Sequence, residues 1–209
     1  MIEEIAPGVY DLSIANHNGG RYRTFLFDGD VPTLVDAAFD DTTDVVAERL
    51  DELGVAPERL VVTHGDPDHV GGLAGLADRY DLETWVPEGT EVGGEYAPDR
   101  RYGDGDEVGR FVAVHTPGHT SDHHVLVDEA AGVAVLGDAV FGADARGLPE
   151  GYFVLPPGFF SEDVNEADAN LKRLLDYEFD VGLVYHGSSV ASDASEKLER
   201  FVEFAGKPN

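Results

Sequence analysis

Two histidines and two aspartates fall within six residues, His64, Asp66, Asp68 and His69, in the stretch THGDPDHVGG that runs from Thr63 to Gly72. Imidazole nitrogens and carboxylate oxygens are the donors that hold divalent metals in sites without thiolates. The chain has no cysteine, which excludes thiolate ligands, thiol nucleophiles and disulfides together. With eight histidines present, an H-x4-H pair should arise about 0.3 times by chance, and Asp at both inner places lowers that to roughly 0.004, so an accidental acidic turn is a poor explanation. Three further places show the same habit of setting a His or Asp where an apolar run stops. FVAVHTPG leads into His119, VAVLG into Asp138, and GLVY into His186. Taken alone, Asp138 reads as a turn residue and His186 as an isolated histidine; both gain weight as members of the set.

Strands and helices must bring these residues to one rim. GVYDLSI and RYRTFLF flank the turn-rich ANHNGG and predict a hairpin, with a third strand in PTLVD. DDTTDVVAERLDELG predicts an amphipathic helix, with Asp and Thr as caps, apolar Val45, Val46, Leu50 and Leu53 at helical spacing, and Gly54 as its stop. RLVVT reads as a strand running into the motif, followed by a helix through VGGLAGLADRY. LETWVP, RFVAVH, HHVLVD, GVAVLG and VGLVYH read as strands, residues 165–177 as a helix, and DASEKLERFVEFA as a terminal helix. Hairpins mixed with strand-helix units predict an α/β fold of two mixed sheets with helices on the outer faces, in a single domain spanning residues 1–209.

Acidic residues outnumber basic ones 42 to 14, for a formal charge of -28, and Lys172, Lys197 and Lys207 are the only lysines. The excess runs the full length. Ordinary solubility needs a net charge of only about 2 to 8, so the expectation is a strongly hydrated acidic surface suited to concentrated salt, as in a halophile, with an ordinary acidic protein as the alternative. Nucleic acid is an unsuitable partner, because phosphate binding relies on Lys and Arg. MIEEIAPGVY carries acids where a signal peptide needs a basic start, and no apolar run approaches the roughly 18 residues that span a bilayer. The expectation is a soluble, cytoplasmic protein.

From IAPGVY through TLVDAAF, THGDPDHVGG, DGDEVGRFVAVHTPGHTSDHH and LGDAVF to YHGS, the chain resembles the metallo-β-lactamase superfamily in both the order and the spacing of its motifs. The resemblance implies an αββα sandwich with a metal site at one edge. It implies that His64 and His119 hold one metal with residue 66, that Asp68, His69 and His186 hold a second, and that Asp138 bridges them. Neither the added substrate domain of glyoxalase II-like enzymes nor the large inserts of the family's nucleases is expected.

One position departs from the family pattern, which usually reads H-x-H-x-D-H and here has Asp66 in place of the second His. The extra carboxylate makes the site less electrophilic and shifts metal preference toward iron or manganese, although zinc, the expected metal, accepts Asp readily. The flavodiiron branch resembles this chain in having an acid there, but its acid is the longer Glu. Asp66 is accordingly expected to fill the first site less well than the second is filled.

The expected chemistry is hydrolysis of a small ester, thioester or lactone by a hydroxide held between two metals. Asp68 is expected to orient the nucleophile and handle its proton, besides binding metal. The alternatives are a non-haem iron redox protein and a metal-stabilised binding protein without turnover. His123 is expected either behind the site or as a structural histidine, and His17 in the hairpin loop is a candidate substrate contact. His115 and His124 read as structural or solvated. Residues 142–163, GADARGLPEGYFVLPPGFFSED, form a longer connection than an inert loop needs. Their Tyr152, Phe153, Phe159 and Phe160 are expected to wall an apolar pocket or to form a homodimer contact.

Overall fold

Short apolar runs become strands, and the candidate ligands His64, His119, Asp138 and His186 follow a few residues past strand ends. A computed structural model describes residues 2–17 and 20–206, apart from the side chains of residues 15–17 and 20. The chain divides into two compact units, Met1–Tyr102 and Gly103–Asn209.

The first unit carries a seven-stranded sheet made of β1 (Ile2–Ala6), β2 (Val9–His17), β3 (Gly20–Phe27), β4 (Thr33–Val35), β5 (Arg59–Val61), β6 (Glu83–Pro87) and β7 (Arg100–Tyr102), in sequence order across the sheet. Pairing is antiparallel from β1 to β4 and parallel from β4 to β7, so the sheet is mixed. Helices α1 (Thr43–Leu53), α2 (Pro67–Val70) and α3 (Leu73–Tyr80) follow β4 and β5. Their apolar faces, including Val46, Leu50, Leu73 and Leu76, join Leu26, Leu34 and Leu60 of the strands in one core.

The second unit carries a five-stranded sheet in the order β14-β11-β10-β9-β8, made of β8 (Glu107–Val108), β9 (Phe111–His115), β10 (His124–Asp128), β11 (Val133–Gly137) and β14 (Val181–Val184). A two-stranded ribbon joins β12 (Phe141–Gly142) to β13 (Phe153–Val154). β11 and β14 run parallel and the other pairs antiparallel. Helices α4 (Val164–Asn170) and α5 (Ala194–Glu203) complete this unit, whose separate core includes Val125, Leu136, Leu171, Val184 and Leu198. The fold class is therefore α/β, with two mixed sheets and flanking helices, as expected.

Differences from the sequence reading are local. The first helix opens with a 3-10 turn at Asp40–Thr42 and has no side-chain cap, because the Thr42 hydroxyl donates instead to the Phe39 carbonyl at 2.8 Å. Its stop is as expected: Gly54 sits at φ 70° with its N–H on the Asp51 and Leu50 carbonyls. The predicted 165–177 helix is α-helical only through Asn170 and continues as a 3-10 turn over Leu171–Asp176. Leu171 and Leu174 are both buried, a spacing of three that matches the tighter period.

Candidate metal centre

Parallel pairing of β4 with β5 sets Val35 beside Val61, so the residues that follow, Asp36 on one strand and Thr63 and His64 on the other, leave the sheet together. Asp36 and Ala38 hold left-handed backbone at φ 63° and 54°, a strained conformation for residues with a Cβ. Neighbouring hydrogen bonds sustain it: Asp36 N–H donates to the Val61 carbonyl at 2.9 Å and Ala37 N–H to the His69 carbonyl at 2.7 Å.

The buried Asp36 carboxylate accepts from the Thr63 amide at 2.8 Å and from the Thr63 hydroxyl at 3.0 Å, and lies 2.8 Å from His69 Nδ1. Nδ1 of His69 is therefore the protonated nitrogen. Because the Thr63 hydroxyl spends its one hydrogen on Asp36, it accepts from His64 Nδ1 at 3.0 Å. Both imidazoles thus keep the Nε2 lone pair for a ligand, and both rings are fully buried. His64 Nε2 lies 3.6 Å from Asp66 Oδ2, and His69 Nε2 lies 3.9 Å from Asp68 Oδ2.

The glycine pair that ends the motif has a steric cause. A Cβ on Gly72 would stand 2.3 Å from the Ala37 carbonyl oxygen, and one on Gly71 would stand 2.4 Å from that of Pro67. The motif turn therefore packs backbone to backbone on the strained Asp36–Ala38 corner, and Gly72 N–H donates to the Ala38 carbonyl at 3.0 Å.

In the second unit, register again does the placing. β10 pairs with β11 at Leu126–Val135 and with β9 at His124–His115. Counting on sets His123 opposite both Asp138 and Thr116. Asp138 N–H donates to His123 Nε2 at 3.0 Å, and His123 Nδ1 meets the Thr116 hydroxyl at 2.9 Å. His123 thus holds the backbone of Asp138 and, as an acceptor at Nε2, carries its proton on Nδ1. Parallel pairing of β11 with β14 sets Gly137 beside Val184, which delivers Asp138 next to the turn bearing His186.

His119 Nε2 and His186 Nε2 lie 3.3 and 3.5 Å from the same Asp138 oxygen, Oδ2. Ser161 fixes the His119 tautomer: its hydroxyl donates to the Pro157 carbonyl at 3.1 Å and so accepts from His119 Nδ1 at 3.2 Å. Asp144 fixes the His186 turn by accepting from the Ser188 amide at 2.7 Å and the Ser188 hydroxyl at 2.9 Å. The Phe141 ring packs on the His186 ring with centroids 4.6 Å apart.

These distances suit a metal. For His64, His69 and His119, whose Nε2 carries the lone pair, a carboxylate oxygen at 3.3 to 3.9 Å is a spacing that a shared cation would relieve. Donors bound to one ion at about 2.0–2.1 Å in a tetrahedron stand about 3.3 Å apart.

The structure gathers His64, Asp66, Asp68 and His69 in the first unit, and His119, Asp138 and His186 in the second with His123 behind them. His115 and His124 pair ring on ring, with centroids at 4.8 Å, and bond the Ser121 and Asp122 carbonyls, a structural role. Burial pushes the His124 imidazole below its ordinary value. His17 closes β2, and its side chain lies outside the described residues. Phe153 is a buried core residue of β13 rather than a pocket wall, whereas Tyr152, Phe159 and Phe160 are exposed. Sequence reading missed Asp36, Thr63, Ser161 and Asp144. Asp36 carried the same signal as Asp138, an acid directly after an apolar strand, and was open to detection; Ser161 and Asp144 act from loops without a pattern.

A family described as the metallo-β-lactamase superfamily matches residues 21–199. A hydroxyacylglutathione hydrolase from Xylella fastidiosa (strain M12) is 31% identical over 103 residues, covering 47% of this chain and 38% of its own. An atrochrysone carboxyl ACP thioesterase from Passalora fulva is 24% identical over 201 residues, covering 90% of this chain and 56% of its own. The chain thus spans less than two thirds of either relative's length. A metallo-β-lactamase family protein from Thermus thermophilus shares the fold, with a TM-score of 0.70 at 21% identity over 94% of this chain and 79% of that one.

Proposed function

Because the chain belongs to the metallo-β-lactamase superfamily, we propose that it is a dinuclear metal-dependent hydrolase of a small ester, thioester or lactone, with zinc as its metal. The observation that carries this reading is the approach of the His64, His69 and His119 Nε2 lone pairs to carboxylate oxygens at 3.3 to 3.9 Å, with His186 Nε2 at 3.5 Å from the same Asp138 oxygen as His119. In this reading the two units act as one domain. His64, Asp66 and His119 hold one ion, Asp68, His69 and His186 hold the other, and Asp138 serves both. Ions bound there would supply a water acidified toward neutrality and a polarised substrate oxygen.

The chain's own residues do the rest. Asp36, Thr63 and Ser161 keep three imidazoles in the tautomer that presents Nε2. Asp68, with a side chain 18% exposed, is the carboxylate that orients the attacking water and accepts its proton. Relatives named as a hydroxyacylglutathione hydrolase and a thioesterase support an acyl substrate. Among the described residues no helix is long and apolar enough to cross a membrane. Independently of that, the enzyme is proposed to be cytoplasmic and to act on a small molecule.

The test is hydrolysis of an ester, thioester and lactone panel before and after chelation, alongside Asp68→Asn. Turnover should vanish on chelation and in Asp68→Asn, with metal still bound to the variant. Turnover that survives either treatment would overturn the proposal. A second reading rests on the three carboxylates among the seven donors, a set that also accepts iron or manganese; dominant iron with a visible spectrum and no hydrolysis would select redox chemistry.

A further inference from the structure

Residues 153–160, FVLPPGFF, carry no charge in a chain whose formal charge is -28. Two of their rings stand in solvent: Phe159 is 90% exposed and Phe160 64%. They meet edge to face with centroids 5.0 Å apart, so they present one apolar surface. The turn beneath them is closed twice on the Pro157 carbonyl, by the Phe160 N–H at 2.9 Å and by the Ser161 hydroxyl at 3.1 Å.

That same Ser161 hydroxyl accepts from His119 Nδ1 at 3.2 Å, and Glu162 N–H donates to the His119 carbonyl at 2.9 Å. Asp163 N–H donates to the Gly118 carbonyl at 2.8 Å. The exposed rings are therefore fastened, one residue away, to the hydroxyl that orients a ligand imidazole.

We propose that Phe159 and Phe160 form an apolar lip on the His119 half-site that receives the hydrocarbon chain of the substrate, making the enzyme selective for acyl groups longer than acetyl. The proposal rests on the hydrolytic reading of that half-site. A second copy of the chain is a poorer occupant. Two phenyl rings supply about 300–500 Å² between them, against about 800 Å² per partner in a stable interface, and like-charged copies repel. An uncharged chain meets neither obstacle.

The test uses metal-loaded wild type, the double variant Phe159→Ser with Phe160→Ser, and Phe204→Ser, which alters a ring 59% exposed after α5, as control. Calorimetry follows acetate, butyrate, hexanoate and octanoate, and parallel assays follow their p-nitrophenyl esters. Half-burial of each methylene should raise affinity about twofold, so octanoate should bind wild type and the control about 60-fold more tightly than acetate. The double variant should keep less than a tenth of that ratio. A flat series in wild type, or an undiminished ratio in the double variant, overturns the lip. Sedimentation showing a wild-type dimer that the double variant dissociates, with no chain-length dependence, assigns the rings to a second copy and equally overturns it. Failure of the esters to hydrolyse while the carboxylate series behaves as expected would sink the hydrolytic reading and leave the apolar-chain site standing.

Discussion

Asp36 shows how much one unassigned carboxylate can organise. It takes the Thr63 amide, the Thr63 hydroxyl and His69 Nδ1, so its loss strands three buried partners at once. Asp36→Ala should therefore weaken metal binding by about 10- to 100-fold, read by competition with a chromogenic chelator; unchanged affinity would deny it the positioning role. Asp66 poses the opposite question. Its side chain is 36% exposed and stands 3.6 Å from His64 Nε2, so it is the most open of the donors whose distances define the first half-site. Asp66→His removes a negative charge and supplies a softer donor. The variant should discriminate more strongly for zinc over manganese than wild type, measured by metal competition, and equal discrimination would remove Asp66 from the ligand set. The candidate ligands were legible because histidine is scarce, eight in the chain, and because the set follows the ends of apolar strands; aspartate is common here and carried weight only beside those histidines. Their supports were less so, since a hydroxyl such as that of Ser161 takes its meaning only from a contact 42 residues away.

Elements place these side chains by register, and register was only partly written in the sequence. The long strands and the helices that carry an amphipathic period were legible. β7 and β8, of three and two residues, have too few positions to show any period. β2 and β3 pair as far as His17 and Gly20, deep into a stretch whose polar, Gly-rich composition suggested loop. The opposition of His123 to Asp138 could have been counted from a β10–β11 hairpin had its turn been known. The packing of the turn between α2 and α3 on the Asp36–Ala38 corner makes a stability prediction. Gly72→Ala forces a methyl to within 2.3 Å of a carbonyl oxygen and should cost about 1–3 kcal/mol, seen as a lowered Tm; a neutral result would mean that the corner yields. On β6, burial raises the Glu83 carboxyl, but hydrogen bonds from Trp85, Arg100 and Arg59 outweigh it and bring it down to about 2. A depressed carboxyl stabilises above its unfolded value of 4.5 and loses that contribution as the pH falls toward 2. The Tm gap between wild type and Glu83→Gln should therefore narrow below pH 4.5, and a gap that stays constant down to pH 3 would contradict the assignment.

At the scale of the whole molecule, charge and metal dominate. Only Asp11, Asp36, Asp128 and Asp138 among the 42 acidic residues are buried, so nearly all of the excess negative charge meets solvent. Self-repulsion of that charge should be relieved as the Debye length shrinks from about 10 Å to about 3 Å between 0.1 and 1 M salt. Thermal unfolding should accordingly move upward over that range if the chain is adapted to salt, whereas a salt-independent Tm would mark an ordinary acidic protein. The α/β class followed from the alternation of patterns along the chain. The mixed sheets followed from hairpins at the start and strand-helix units after them. What composition could not supply was the substrate, because a shared fold carries many chemistries. The account stands most directly on metal content, determined by elemental analysis of protein purified without added metal, together with His119→Ala and His69→Ala. It predicts two ions per wild-type chain and a reduced count in each variant; a folded wild-type chain that binds no metal, or variants that lose none, would contradict it.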